Sequence, residues 1–193
     1  MKTIILGMGN TLISDDGIGI VTLRYLEKVL SHCKEITFCE TSWGGFRIID
    51  LLEGFDYAVV IDSIKTGNKP TGSIYHYKPT DLLPTLRLTS YHDINFITAL
   101  RLAESINAKV PSDIDIFAIE VEDNRSINET INPTLWNSIK ECSQVIADKL
   151  FEKNIITFKI PAEEFIGIKS VDELDLLYPE KTADRIETGL INN

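Results

Sequence analysis

Apolar residues along this 193-residue chain change their period from segment to segment, and the changes mark out elements. Thr3, Ile4, Ile5 and Leu6 form a short run that reads as a buried strand. Ile18, Ile20, Val21, Leu23, Leu26 and Leu30 then recur at helical spacing, predicting an amphipathic helix over residues 17–31. Residues 35–40 (EITFCE) predict a second strand, closed by the turn Thr41-Ser42-Trp43-Gly44-Gly45. Phe46, Ile49, Leu51 and Leu52 predict a helix after that turn. Tyr57 to Asp62 is a continuous apolar run ending in a carboxylate, the pattern of a strand buried on both faces of a parallel sheet.

Thr71 to Tyr77 alternates after the turn signals Gly67, Asn68 and Pro70, predicting an edge or antiparallel strand. Residues 79–91 read as a loop, His92 to about Asn107 as a helix, and Ile114 to Ile119 as a strand. Asn132-Pro133 opens the last long helix, which continues to about Phe151. Strands alternating with helices in this way predict an α/β domain over residues 1–151, with a mostly parallel sheet and helices on both faces. Residues 152–193 differ: a short strand is expected at Ile155–Ile160, Pro161 and Pro179 act as breakers, and acidic side chains are in excess. Phe165, Ile166, Leu174, Leu176 and Leu177 argue against plain disorder. The segment is expected to be a C-terminal appendage that packs on the domain or docks a partner.

The stretch from Leu6 to Gly19 carries the most chemistry. A strand feeding a Gly-rich turn and then a helix opens a βα unit, and such turns line the carboxyl edge of a parallel sheet, where ligands sit. A dinucleotide fingerprint needs a third glycine, and Leu12 stands in its place. The turn runs on into Asp15-Asp16-Gly17, whose paired carboxylates repel a pyrophosphate and suit a cation. One of the two is expected to cap the following helix, since Asp is a favoured N-cap. That leaves the other unexplained.

Charge and cysteine usage narrow the field. Lys and Arg number 19 against 29 Asp and Glu, and the net charge of −10 disfavours nucleic acid and anionic membrane as partners. No apolar run approaches the roughly 20 residues that span a bilayer. Met-Lys-Thr runs straight into the first strand, so no signal peptide is expected and the cytoplasm is the expected location. Cys33, Cys39 and Cys142 are odd in number and form no C-x-x-C pair, which leaves buried structural thiols as their ordinary reading. Monomer is the expected state, since no long heptad is present.

Asp16 follows the first strand, Asp62 ends the third, and His92 opens a helix. Strand ends of a parallel sheet share one edge, so the three can converge there as ligands for a borderline divalent ion such as nickel or zinc. A lone Asp at a strand end is more often a turn or cap residue, and a lone His more often a hydrogen-bonding group. His32, beside Cys33 at a helix end, and His76, on the expected edge strand, stand in less suggestive contexts. Ser14, Ser42 and Ser63 lack a nucleophile context. Glu120 and Glu122 suit substrate contact or a solvated strand end equally, and Trp43 and Tyr91 suit a cleft wall or the core.

The opening GMGNTLISDDGIGI resembles the signature of the hydrogenase maturation endopeptidases. TSWGGFRIIDLLEGFDYAVVIDSI, SYHDINF, and IFAIEVED followed by INETINP match in order and spacing, so the resemblance covers about residues 3–150. It implies a three-layer α/β/α sandwich, with the segment after about residue 152 longer than the family expects. It also implies a processing endopeptidase, aspartyl-type in the family's naming, that removes the C-terminal extension of a nickel–iron hydrogenase large-subunit precursor. The family's nickel-binding positions fall on Asp16, Asp62 and His92, and the nickel is the one already carried by the precursor. Two mechanisms stay open: the gripped nickel activates water or polarises the scissile carbonyl, or these residues only recognise nickel while a carboxylate acts as general base. A nickel-sensing chaperone that releases the precursor uncut is the alternative of a different class.

Overall fold

β1 (Thr3–Met8), β2 (Ile36–Thr41), β3 (Tyr57–Ile64) and β5 (Asp113–Glu120) run parallel, and β4 (Ile74–Tyr77) pairs antiparallel with β5 at one edge. The order is β2-β1-β3-β5-β4. The structure, a computed structural model, describes residues 1–42, 46–82 and 91–177, and of residues 91–95 the backbone alone. β1 and β3 are buried at every position, which is why their sequences lack alternation. The Trp43–Gly45 turn and the side chain of Tyr91 lie outside the described residues, as does the chain beyond Leu177.

Helices cover both faces. Ile5, Tyr57, Val59, Ile61, Phe117 and Ile119 point to one side, where α1 (Ile18–Val29) and α4 (Trp136–Glu152) supply Val21, Leu26, Ile139 and Ile146. Ile4, Leu6, Ala58, Val60 and Ile116 point to the other, where α2 (Arg47–Leu52) and α3 (Tyr91–Ser105) supply Ile48, Leu52, Phe96 and Leu100. This is the three-layer sandwich, built by the period of two in the strands.

α4 starts and stops where its sequence dictates. Asn132 accepts a hydrogen bond from the Thr134 N–H at 3.1 Å, and Pro133 follows at the first position of a 3-10 turn that leads into the helix. At the far end Asn154 takes a left-handed φ of 57°, and the Ile155 N–H returns to the Leu150 carbonyl at 2.9 Å. The strand expected at Ile155–Ile160 is not formed. Ile156 and Ile160 are instead buried in the α1–α4 cluster without strand pairing, and Pro161 follows.

The chain then lies against α1 and α4 and forms the short helix α5 (Val171–Leu177). Phe165, Ile168 and Leu174 join the same core cluster. The Tyr25 hydroxyl donates to the Ile166 carbonyl at 2.6 Å, and its ring meets Phe165 edge-on with centroids 6.3 Å apart. Lys28 Nζ lies 3.1 Å from Asp175. Residues 156–174 are thus bound by burial and not by ladder hydrogen bonds. Phe165→Ala removes a ring that is 1% exposed, and should cost about 3–5 kcal/mol, read as a lowered urea midpoint.

At the amino edge of the sheet the fold buries charge. Asp115, fully buried on β5, accepts from the Tyr57 hydroxyl at 2.7 Å, lies 2.5 Å from His76 Nε2, and pairs with Lys78 Nζ at 2.8 Å. Asp113 pairs with Lys78 and with Lys153 from the end of α4. His76, on the edge strand, stacks flat on Phe117 with centroids 4.6 Å apart. Burial works to raise the Asp115 carboxyl, but the bonds from Lys78, Tyr57 and His76 outweigh it and hold the group at about 2. The stability it contributes is therefore present above the ordinary carboxylate value and lost as pH falls from about 4 towards 2. Wild type should lose about 2 kcal/mol through this group in a urea series across that range, and Asp115→Asn should not show that component.

Candidate active site at the carboxyl edge of the sheet

β2 lies on one side of β1 and β3 on the other, so the loops leaving β1 and β3 diverge and open a crevice at the carboxyl edge. The β1–α1 turn is folded tightly into that crevice. Gly9 takes a φ of +135°, and a Cβ there would lie 2.0 Å from the Asp16 carbonyl oxygen. A Cβ on Gly19 would lie 2.2 Å from the Met8 carbonyl oxygen and 2.5 Å from that of Ile61, so the first turn of α1 rests directly on the ends of β1 and β3.

Asp15 and Asp16 occupy a buried 3-10 turn, Ser14–Gly17, ahead of α1. Neither caps the helix, contrary to the expectation: the N-cap is Gly17 and no side chain bonds there. Both carboxyl groups are spent elsewhere. Asp15, 1% exposed, accepts from the Asn132 N–H at 2.8 Å and from the Asp123 N–H at 3.3 Å. The Asp15 N–H donates back to the Asp123 carbonyl at 3.0 Å. Asp15 is thus a clasp that ties the β1–α1 turn to the loop before α4.

Asp16 turns the other way. Its Oδ2 accepts from the Asn10 N–H at 2.8 Å and its Oδ1 from the Ser63 hydroxyl at 3.2 Å. Asp62, at the end of β3, accepts from the Ser63 N–H at 2.8 Å. Asp16 and Asp62 are 4% and 2% exposed, so two carboxyl groups are buried at one edge and joined through one serine. Ser63 is fully buried and its hydroxyl proton is committed to Asp16, an arrangement opposite to that of an attacking nucleophile.

His92 lies in the first turn of α3, and its side chain is outside the described residues. After α3 the Lys109 carbonyl accepts from the Gly54 N–H, next to the start of β3, at 2.8 Å. Fifteen helical residues rise about 22 Å, which sets the first turn of α3 towards the carboxyl edge. Among the described residues no group of three His, Cys, Asp or Glu is disposed to hold a metal ion, and His92 does not enter that set.

The remaining candidates have structural partners. Glu120 is buried and accepts from the Thr66 and Gly67 N–H groups, the Thr66 hydroxyl and the Tyr75 hydroxyl, fixing the β3–β4 loop. Glu122, with Ser14, Asp15, Asp123 and Asn128, lines a cleft of about 450 Å³ beside the turn. His32 stacks on Phe158 and His76 belongs to the amino-edge network. Cys142 is buried and burial pushes its thiol up to about 12, while Cys33 and Cys39 are only partly buried and also raised by burial. No cysteine has the depressed value of a nucleophile. Sequence reasoning missed the roles of Asp15 and Ser63.

A family profile described as hydrogenase maturation protease, HycI, matches residues 20–149, well over half of the chain. The chain belongs to the hydrogenase maturation protease family. Among curated proteins none matches the sequence significantly. Solved structures agree in fold. The hydrogenase maturating endopeptidase HybD from Escherichia coli is similar with a TM-score of 0.66 at 16% identity, over 79% of this chain and 94% of that one. The nickel–iron hydrogenase maturation protease HybD from Thermococcus kodakarensis is similar with a TM-score of 0.60 at 23% identity, over 78% and 99% respectively.

Within this maturation protease, Asp62 and His92 fall inside the profile match and Asp16 just ahead of it. No helix among the described residues is long and apolar enough to cross a membrane. The geometry separates the neighbouring aspartates. Asp15→Ala strips acceptors from two backbone N–H groups and should destabilise the protein by about 2–3 kcal/mol, measured by urea unfolding. Glu122→Gln, whose carboxyl group accepts no hydrogen bond among the described residues, serves as the control.

Proposed function

We propose that this maturation protease is an endopeptidase that removes the C-terminal extension of a nickel–iron hydrogenase large-subunit precursor already carrying nickel. The meeting of Asp16 and Asp62, both buried and both bonded to Ser63 at the strand-order switch, supports it most directly. The metal is part of the substrate. Asp16, Asp62 and His92 would receive it, since carboxylate oxygen and imidazole together suit a borderline divalent ion. Three protein ligands leave positions open on the ion, where it polarises the scissile carbonyl or a water.

The chain's own part is binding and orientation. The Asn10 N–H holds Asp16 Oδ2 and the Ser63 hydroxyl holds Asp16 Oδ1, so a neutral donor reaches each oxygen. The Ser63 N–H holds Asp62. Ser14 has a left-handed φ of 39° and no histidine among its described hydrogen-bond partners, and Ser63 is enclosed, so neither is placed as a nucleophile.

The test is mass spectrometry of nickel-loaded precursor incubated with the protein, with nickel-free precursor alongside. A shortened product from loaded precursor alone is expected. Asp16→Ala and His92→Ala should each slow cleavage by about 100-fold or more, the size of losing a ligand that stabilises developing charge. Normal cleavage by Asp16→Ala would sink the assignment. Binding without loss of mass, in a pair that matures together in cells, would favour the chaperone reading.

A further inference from the structure

Among the described residues Ser63 bonds to both buried aspartates, and nothing in its sequence context marks it. Along β3 the side chains alternate, with Val59 and Ile61 on the α1–α4 face and Ala58 and Val60 on the α2–α3 face. The same alternation sets Ser63 on the side of α1, where the Ser14–Gly17 turn delivers Asp16, and Asp62 on the side of α3. The two carboxyl groups therefore approach the end of β3 from opposite faces. Without a link, nothing in the strand itself fixes one against the other.

We infer that Ser63 is a positioning residue that sets Asp16 and Asp62 in register with each other. Its hydroxyl donates to Asp16 Oδ1 at 3.2 Å and its backbone N–H to Asp62 Oδ1 at 2.8 Å. The residue is fully buried, so no water competes for either bond. A hydroxyl has one proton to give, and here it goes to the oxygen that the Asn10 N–H does not reach. Donors on both oxygens help to fix the plane of the Asp16 carboxyl group, and losing the one on Oδ1 weakens that hold. The bearing of this on cleavage rests on the function proposed above, in which Asp16 and Asp62 act on the nickel-loaded precursor. Groups that orient metal-binding side chains in this way typically matter by about 10–100-fold in affinity or rate.

The experiment compares wild type with Ser63→Ala and Ser63→Thr in cleavage of nickel-loaded precursor, together with thermal melts. Ser63→Ala should lower kcat about 10-fold with KM within about 2-fold, because the loss is in orientation and not in docking. Ser63→Thr keeps the hydroxyl and should recover most of kcat. Where Ser63→Ala does not fold, Ser63→Cys, with its weak S–H donor, takes its place and should fall between wild type and inactive. A melting cycle of Ser63→Ala, Asp16→Asn and the double variant supplies a readout free of nickel and activity. The second substitution should add little to the first. Wild-type kcat in Ser63→Ala, an equal loss in Ser63→Thr, or additive melting shifts would each overturn the inference. If wild type itself leaves the precursor uncut, the proposed function fails, and the melting cycle alone decides whether Ser63 and Asp16 act as a unit.

Discussion

Burying two carboxyl groups at the end of a parallel sheet is the constraint that shapes the rest of this edge. Isolated, such groups cost several kcal/mol each to remove from water. The chain meets the cost with donors of its own: the Asn10 N–H, the Ser63 hydroxyl and the Ser63 N–H. Those donors are within reach only because the β1–α1 turn folds back on itself. Gly9 permits the fold, since no side chain fits beside the Asp16 carbonyl, and Gly19 lets α1 rest on the strand ends. Asp15 then pins the turn to the loop before α4. Backbone geometry and polar satisfaction are here the same problem.

At the opposite, amino end of the sheet the buried carboxylate Asp115 is held in another way. Asp115, Asp113, His76, Lys78, Lys153 and Tyr57 form a paired network at the amino edge, with cations enough to match the anions. The described partners of Asp16 and Asp62 differ in kind: a hydroxyl and backbone N–H groups, with no Lys or Arg among them. A cation beside a carboxylate cancels its charge, whereas a hydroxyl or a backbone N–H orients the group and leaves the charge in place.

Much of this was legible in the sequence because it follows from period. Unbroken apolar runs marked β1 and β3, the alternation of TGSIYHY marked the antiparallel edge, and Asn132-Pro133 marked the start of α4. Asp16 and Asp62 stood out through their place at strand ends. What escaped notice was pairwise and distant: Ser63 meets Asp16 across 47 residues, and Asp15 meets Asn132 across 117. Asp115 did carry a signal, as a lone charge within the apolar strand IDIFAI, and a buried charge calls for partners. The strand expected at Ile155–Ile160 failed for another reason. Apolar alternation specifies a buried face, and α1 and α4 supplied one without a sheet.

Under the proposed function the metal arrives with the substrate, which imposes a requirement that a resident metal does not. On that reading the site must hold its shape before the ion is present. Neutral donors meet this requirement, because each hydrogen bond to a carboxylate contributes about 1.5–3 kcal/mol, enough to fix orientation while leaving lone pairs available. A lysine in the place of Ser63 would hold Asp16 more strongly and would also compete with the incoming ion. On this argument the serine is suited to its position by being weak: it orients the carboxyl group without neutralising it.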